Sequence, residues 1–111
     1  MQVDKSKQND VVICKIKGDI DINSSPDIRK ALSELTQGEE KRIVVNLEGV
    51  SYIDSSGLAT LVEMLKKSKS YGGNLKLSDL ADKVKGLFEI TKLDRIFNIY
   101  TSTEEAIANF K

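Results

Sequence analysis

IVVNLEGVSYIDSSGLATLVEML, residues 43–65, is the stretch that decides the fold of this chain. Residues 43–47 are almost continuously apolar and rich in β-branched side chains, which is typical of a central strand covered on both faces. Apolar side chains then recur at positions 58, 61, 62 and 65, the spacing of one face of a helix. We assign Thr60 and Met64 to the other faces of that helix. A buried strand followed by a crossover helix is the repeating unit of α/β folds.

Elements of the same kinds are predicted before this stretch. Turn formers at residues 8–10 separate a weak strand over residues 2–4 from a stronger one over residues 11–17, which indicates an N-terminal hairpin. Residues 24–26, Ser-Ser-Pro, then favour the start of a helix, with a serine as its cap and proline in its first turn. Apolar residues at helical spacing carry this helix to about residues 37–38.

Four further elements are predicted after the central helix. Strands are indicated over residues 74–77 and 96–100, a third helix over residues 80–88, and a capping box at residues 102–105 opens a C-terminal helix. Strands therefore alternate with helices, so that most of the sheet must be parallel or mixed. We predict a single α/β domain over residues 1–111, with a mixed central sheet of four to five strands and about four helices packed against it.

The composition excludes several classes of function. Seventeen basic residues balance seventeen acidic ones, so the chain has no cationic field for nucleic acid. No window approaches the roughly 20 apolar residues that cross a bilayer, which predicts a soluble cytoplasmic protein, and the balanced surface favours a monomer. Histidine is absent, which removes the commonest general base and metal ligand at neutral pH. Cys14, the single cysteine, lies in an alternating apolar run and is assigned to the core.

The segment Asp54-Ser55-Ser56-Gly57-Leu58 leads from the central strand region into the helix. In open α/β sheets, functional groups gather at the carboxyl ends of strands, where loops meet the N-termini of crossover helices. We expect the Ser55 hydroxyl to face solvent beside unpaired backbone N–H groups, which together with the helix dipole would hold a phosphate. The alternative is that these residues only cap the helix, because such side chains are favoured at helix starts.

The same segment resembles the signature of the bacterial anti-sigma factor antagonists, members of the STAS domain family. Further matches, in the family's order, are residues 18–21, 44–47, 72–77 and 84–88. The resemblance implies partner switching, in which the unphosphorylated protein binds an anti-sigma factor that is also a serine kinase and so frees the sigma factor. That kinase phosphorylates the first serine of the signature, here Ser55, and the complex separates.

The resemblance also implies which molecules act on this chain and which residues meet them. A serine phosphatase resets the switch, the chain itself is not an enzyme, and ATP and magnesium belong to the kinase, so no cofactor or metal is assigned here. The predicted partner-binding residues are Asp21, Asp54, Ser55, Ser56, Gly57, Thr60 and Met64.

Three of these residues carry a second interpretation. Asp21 matches a recurring acidic position and is expected to shape the phosphorylation site, but it equally fits a helix-entry residue that satisfies local backbone N–H groups. Thr60 and Met64 are expected to adjust partner specificity, and the alternative is that they form a solvated helix face.

Three other functions compete with this one. A receiver-like phosphoaspartate domain would use Asp54, with Asp19 and Asp21 as its magnesium-binding pair, but residues 99–102, at the end of the last predicted strand, offer no lysine. A hydrolase with Ser55 as nucleophile would need glycine two residues before the serine, where Ile53 stands, and a histidine base. The third alternative is a scaffold or small-ligand-binding signalling module of the same family without a sigma-factor role.

Overall fold

A five-stranded sheet forms the centre of the molecule, and the computed structural model describes residues 1–110. In chain order, which is also the order across the sheet, the strands are β1 (Gln2–Gln8), β2 (Val11–Lys17), β3 (Arg42–Gly49), β4 (Asn74–Ser78) and β5 (Ile99–Tyr100). β1 is antiparallel to β2, and all the other neighbouring strands are parallel. The predicted α/β class with a mixed sheet is confirmed.

Four α-helices pack on the two faces of this sheet. They are α1 (Ser25–Gln37), α2 (Ser55–Ser70), α3 (Asp82–Ile90) and α4 (Thr103–Ala108), and a short 3-10 helix at Leu93–Arg95 precedes β5. α1, α2 and α3 cover one face and enclose the main core, whereas α4 covers the other face. Across residues 1–110, none of the helices combines the length and apolar character that crossing a bilayer demands.

β3 serves both layers of the molecule, because successive side chains of a strand point to opposite faces. Ile43, Val45 and Leu47 lie in the main core under α1, α2 and α3. Val44 points the other way and packs with Ala106 of α4. This double burial explains why the strand is apolar without alternation, as a central parallel strand should be.

The N-terminal hairpin is confirmed, although its first strand is longer than predicted. β1 pairs with β2 along its whole length, from Gln2 opposite Lys17 to Gln8 opposite Val11. The connecting residues Asn9 and Asp10 have φ angles of 52° and 64°. Positive φ at both central residues is the requirement of the tight turn that matches strand twist. The full length of the mostly polar β1 was not predicted, because backbone pairing, and not apolar alternation, holds it in the sheet.

The last strand is shorter than predicted. Only Ile99–Tyr100 of the range 96–100 pairs with β4. Phe97 is buried from the turn before the strand, and its ring packs edge-to-face on Phe88 with the centroids 5.6 Å apart. An apolar side chain enters the core from a turn as readily as from a strand, which is why the apolar run gave the wrong boundary.

The prediction that Thr60 and Met64 lie on the outer faces of α2 is wrong, because both are fully buried. The Thr60 hydroxyl donates to the Ser56 carbonyl at 3.0 Å and accepts from Arg29 of α1 at 3.4 Å. The Met64 sulfur accepts from the Ser33 hydroxyl of α1 at 3.8 Å. α1 packs against α2 on the same face of the sheet and covers this second stripe of the helix. Neither side chain has surface to present to a partner, so both leave the partner-binding set.

Candidate functional site

The loops that leave β2 and β3 lie side by side at the carboxyl edge of the sheet. Ile20 and Ile53 form an isolated parallel bridge between them. The Ile20 N–H donates to the Tyr52 carbonyl at 2.9 Å, and the Asp54 N–H donates to the Ile20 carbonyl at 3.0 Å. The loop that carries Asp21 is therefore joined to the segment that opens α2, as the parallel topology predicted.

Asp54 is the N-cap of α2. Its Oδ1 accepts hydrogen bonds from the Ser56 hydroxyl at 2.6 Å, the Ser56 N–H at 3.0 Å and the Gly57 N–H at 3.1 Å. These bonds, that from the Ser56 hydroxyl foremost, hold the pKa of the Asp54 carboxyl below its usual range. The carboxylate is therefore ionised at neutral pH and sits at the positive end of the helix dipole.

Ser55, the first residue of α2, is exposed to solvent, as predicted. The prediction of unpaired N–H groups beside it is wrong for the next two residues. The N–H groups of Ser56 and Gly57 are both bound to the Asp54 carboxylate, which reaches back over the first turn. A phosphate on Ser55 would therefore meet a helix start that already holds one negative charge.

Ser56 connects the start of α2 with the start of α1. Its hydroxyl oxygen lies 3.1 Å from Oγ of Ser25, the first residue of α1. Ser25 Oγ in turn lies 2.7 Å from the Asp21 carbonyl oxygen, and its side chain is almost completely buried. Sequence reasoning missed Ser25, because a serine beside a helix cap gives no signal of a partner 31 residues away.

Gly57 is a packing residue. It is buried, and a Cβ placed on it would collide with the Ile20 side chain and lie 2.8 Å from Cγ1 of Ile53. The missing side chain lets the first turn of α2 approach the bridge between the two loops closely. The structure therefore removes Gly57 from the predicted partner contacts and explains the glycine by close approach.

Asp21 acts on its own loop. Its Oδ1 accepts from the N–H groups of Asn23 at 2.9 Å and Ser24 at 3.1 Å, which is an Asx-turn arrangement. The geometry therefore matches the helix-entry interpretation, while the side chain stays partly exposed beside α2. Ser24 does not cap α1 as predicted, because its hydroxyl donates to the Asp19 carbonyl at 2.8 Å.

Two large apolar side chains near Ser55 are exposed, and sequence reasoning missed both. Ile22, in the loop after β2, is 73% exposed, and Tyr52, in the segment after β3, is 53% exposed. Tyr52 also lines a shallow depression with Val84 and Leu87 of α3. The available signal was their position, since each follows the carboxyl end of a parallel strand and lies outside any periodic apolar pattern.

The arrangement differs from what a receiver-like phosphoaspartate site requires. Asp54 Oδ1 is occupied as a helix cap, and Asp19 accepts a hydrogen bond from the Ser51 hydroxyl at 3.2 Å. In the part of the chain that the structure describes, no group of three acidic, histidine or cysteine side chains converges to hold a metal ion. The chemistry that this edge offers is an exposed hydroxyl beside an ionised carboxylate.

Residues 2–106 match the sequence model of the STAS domain family, and this match spans nearly the whole chain. The match includes both loops of the carboxyl edge and the start of α2. The chain belongs to the STAS domain family.

Individual relatives agree with this assignment. The chain is 39% identical over 104 residues to the anti-sigma-B factor antagonist of Bacillus subtilis strain 168, with 93% of each chain covered. The crystal structure of the Thermotoga maritima protein tm1081 superimposes with a TM-score of 0.91 at 30% identity, covering 96% of this chain and 92% of that one. The phosphorylated form of the Bacillus cell fate determinant SpoIIAA gives a TM-score of 0.76 at 21% identity over 99% and 100% of the two chains. This last likeness shows the fold alone.

Proposed function

We propose that this protein is an anti-sigma factor antagonist that acts by partner switching, through binding and not through catalysis. Its unphosphorylated form binds an anti-sigma factor that has serine kinase activity and thereby releases the sigma factor. Phosphorylation of Ser55 abolishes this binding, and a serine phosphatase restores it. The observation that carries the proposal is the exposed Ser55 at the capped start of α2, in a chain 39% identical to the Bacillus subtilis antagonist.

The partner is proposed to dock on the Ser55 surface, which consists of Asp21, Ile22, Tyr52, Asp54 and Ser55. Ile22 and Tyr52 are the large apolar side chains that flank the serine, with 73% and 53% of their areas exposed. Apolar and aromatic side chains at the centre of an interface supply most of its affinity. Ser56 lies behind this surface and supports it through its hydrogen bond to Asp54.

Phosphorylation changes the charge of the Ser55 surface. It adds about −1.5 to −2 charge at neutral pH, next to an Asp54 carboxylate that is already ionised. A partner that had covered a neutral hydroxyl would then have to desolvate a cluster of like charges, which costs several kcal/mol. A loss of about 1.4 kcal/mol already weakens binding tenfold.

The fold is expected to survive the modification. Capping of α2 depends on the Asp54 side chain, and the Ser55 hydroxyl takes no part in it. Negative charge at a helix N-terminus is also favoured by the helix dipole. Because sigma factors act on transcription, we place the proposed function in the cytoplasm, with a protein that is monomeric when free.

The Ser55→Ala variant tests the assignment directly. Incubation with ATP and the anti-sigma factor kinase of the source bacterium should give no phosphate on the variant, because the acceptor oxygen is missing. Partner affinity should stay near the wild-type value, since the docking surface remains neutral at this position. Mass spectrometry locates the phosphate, and titration calorimetry measures the affinity.

Ser70→Ala is the matched control, because Ser70 is an exposed serine at the opposite end of the same helix. This control should be phosphorylated on Ser55 at the wild-type rate. Phosphate on another residue of the Ser55→Ala protein would refute the site. A wild-type protein that binds no anti-sigma factor would favour the scaffold or ligand-binding alternative.

A further inference from the structure

Ser25 is a buried polar group at the carboxyl edge that the proposed function leaves without a role. It opens α1 and is only 4% exposed. Its Oγ lies 2.7 Å from the Asp21 carbonyl and 3.1 Å from Oγ of Ser56. Through Ser56 it reaches the Asp54 carboxylate, since the two oxygens there are 2.6 Å apart.

The direction of these bonds follows from counting protons. Each serine hydroxyl carries one proton, and the Ser25 proton goes to the Asp21 carbonyl at 2.7 Å, because a carbonyl oxygen can only accept. The contact between the two serines must then be donated by Ser56, whose proton is shared between Ser25 Oγ at 3.1 Å and the Asp54 carboxylate at 2.6 Å. The same Asp21 carbonyl also accepts the N–H groups of Ser25 at 2.8 Å and Ser24 at 3.2 Å.

Ser25 therefore joins the Ser56 hydroxyl of α2 to the Asp21 carbonyl of the neighbouring loop. Hydrogen bonds aligned in this way, from Ser56 to Ser25 and from Ser25 to Asp21, polarise one another. Asp54 Oδ1 is also the acceptor that holds the N–H groups of Ser56 and Gly57. The orientation of the first turn of α2, and with it the placement of Ser55, therefore depends on a hydroxyl from a different helix.

We infer that Ser25 is a positioning residue for phosphorylation of Ser55, and this inference rests on the proposed function. Ser25 does not touch the partner, because its side chain is buried. It ties Ser56 to the Asp21 loop, and Ser56 together with Asp54 holds Ser55 in the geometry that the kinase meets. Ser25 thus links the loop that carries Asp21 to Ser56, which directly follows the acceptor Ser55.

The Ser25→Ala variant is compared with Ser68→Ala to test this inference. Ser68 is also buried, but its hydroxyl donates to the Leu65 carbonyl of its own helix at 2.8 Å, far along α2 from Ser55. Ser25→Ala should lower kcat/KM for phosphate transfer from ATP to Ser55 by about two- to tenfold, the equivalent of one hydrogen bond. Ser68→Ala should leave kcat/KM unchanged, although it also loses one buried bond.

Amide hydrogen exchange gives a second measurement that needs no kinase. The N–H groups of Ser56 and Gly57 should exchange about two- to tenfold faster in Ser25→Ala than in wild type, and at the wild-type rate in Ser68→Ala. In a Ser56→Ala background, Ser25→Ala should have no further effect on the exchange rate of the Gly57 N–H, because the hydrogen bond between Ser25 and Ser56 is already lost.

The outcomes separate the two claims. Wild-type exchange and wild-type kcat/KM in Ser25→Ala, equal effects of Ser25→Ala and Ser68→Ala, or additive effects with Ser56→Ala would each overturn the positioning role while leaving Ser55 as the acceptor. A wild-type protein that takes up no phosphate on Ser55 would instead refute the proposed function. The exchange rates would then decide by themselves whether Ser25 orders the start of α2.

Discussion

The helices α1 and α2 both begin with a serine, but the two serines differ in their exposure to solvent. Both helices follow neighbouring parallel strands, and both have a serine as their first residue, Ser25 in α1 and Ser55 in α2. Ser25 is buried and hydrogen-bonded across to the other helix start, whereas Ser55 is open to solvent. A serine at a helix start therefore becomes a candidate for modification through its surroundings and not through its local sequence.

The difference arises from how each start satisfies its polar groups. α2 is capped by the Asp54 side chain, whereas Ser24, the N-cap of α1, makes no side-chain capping bond. The hydroxyls of Ser25 and Ser56 meet between the two starts. Because buried polar groups must be hydrogen-bonded, the Ser25 hydroxyl is used in hydrogen bonds inside the protein. The Ser55 hydroxyl is exposed and remains accessible to a kinase.

Filling the contact between the first turn of α2 and the Ile20–Ile53 bridge should give the largest effect. A Cβ on Gly57 would collide with Ile20 and lie 2.8 Å from Cγ1 of Ile53. Overpacking of a tight core typically costs about 1–3 kcal/mol, so Gly57→Ala should lower the free energy of unfolding by about that amount. Urea denaturation followed by circular dichroism measures this difference.

Gly86→Ala is the matched control for that prediction. Gly86 lies inside α3, and apart from its chain neighbours and the adjacent helix backbone no described atom comes within 4 Å of the Cβ that alanine would add. Alanine there should raise the free energy of unfolding by about 0.5–1 kcal/mol, because glycine is the weaker helix former. A Gly57→Ala protein as stable as wild type would show that the start of α2 is not tightly packed on Ile20 and Ile53.

Charge at the exposed start should give the next largest effect, on binding. Ser55→Asp is expected to weaken the complex with the anti-sigma factor at least about tenfold, because a buried uncompensated charge costs more than about 1.4 kcal/mol. Titration calorimetry measures the dissociation constant. Ser70→Asp puts the same charge at the far end of α2 and should bind like wild type. Superimposable titrations of Ser55→Asp and wild type would remove the electrostatic mechanism.

The smallest effect should be the pH dependence of the Asp54 cap. Hydrogen bonding lowers the pKa of Asp54, the Ser56 hydroxyl being the main cause, so its stabilising contribution is present above the unfolded-state pKa. That contribution is lost as the pH falls through the lower pKa of the folded state. The stability difference between wild type and Asp54→Asn should therefore shrink on acidification, as measured by urea denaturation at several pH values.

Glu34 offers a contrast, because its pKa is lowered by a hydrogen bond from Lys5 within an exposed ion pair, 2.8 Å between Nζ and Oε1. High salt should reduce the pH-dependent difference between wild type and Glu34→Gln, because it screens the attraction between the exposed charges of Lys5 and Glu34. The Asp54 difference should persist in salt, because the donors there are the uncharged Ser56 hydroxyl and backbone N–H groups. A difference at Asp54 that grew on acidification would contradict the capping geometry.

Most elements of the fold were predictable from local patterns. The continuous apolar run at 43–47 identified a doubly covered strand, and the turn formers near Asn9 identified the hairpin. The boundary of β5 was not predictable, because Phe97 reaches the core from a turn and adds an apolar residue to the pattern. Local sequence thus shows that a side chain is apolar, but it does not show whether that side chain reaches the core from a strand or from a turn.

The candidate site was predictable in part. Asp21, Asp54 and Ser55 were predicted to belong to one site, and the loops that carry them are joined. The predicted exposure of Ser55 is confirmed, but its place at a helix start did not decide it, because Ser25 has the same place and is buried. Thr60 and Met64 were misplaced because a helical pattern identifies the stripe against the sheet, while α1 covers a second stripe of polar and flexible side chains.

By itself, the sequence determined that strands alternate with helices and that serines stand where two of those helices begin, because spacing and cap residues act over a few neighbouring positions. Only the tertiary structure decided that Ser25 is locked between the helix starts while Ser55 faces water. Burial depends on which distant segments pack together, and that information is spread over the whole chain.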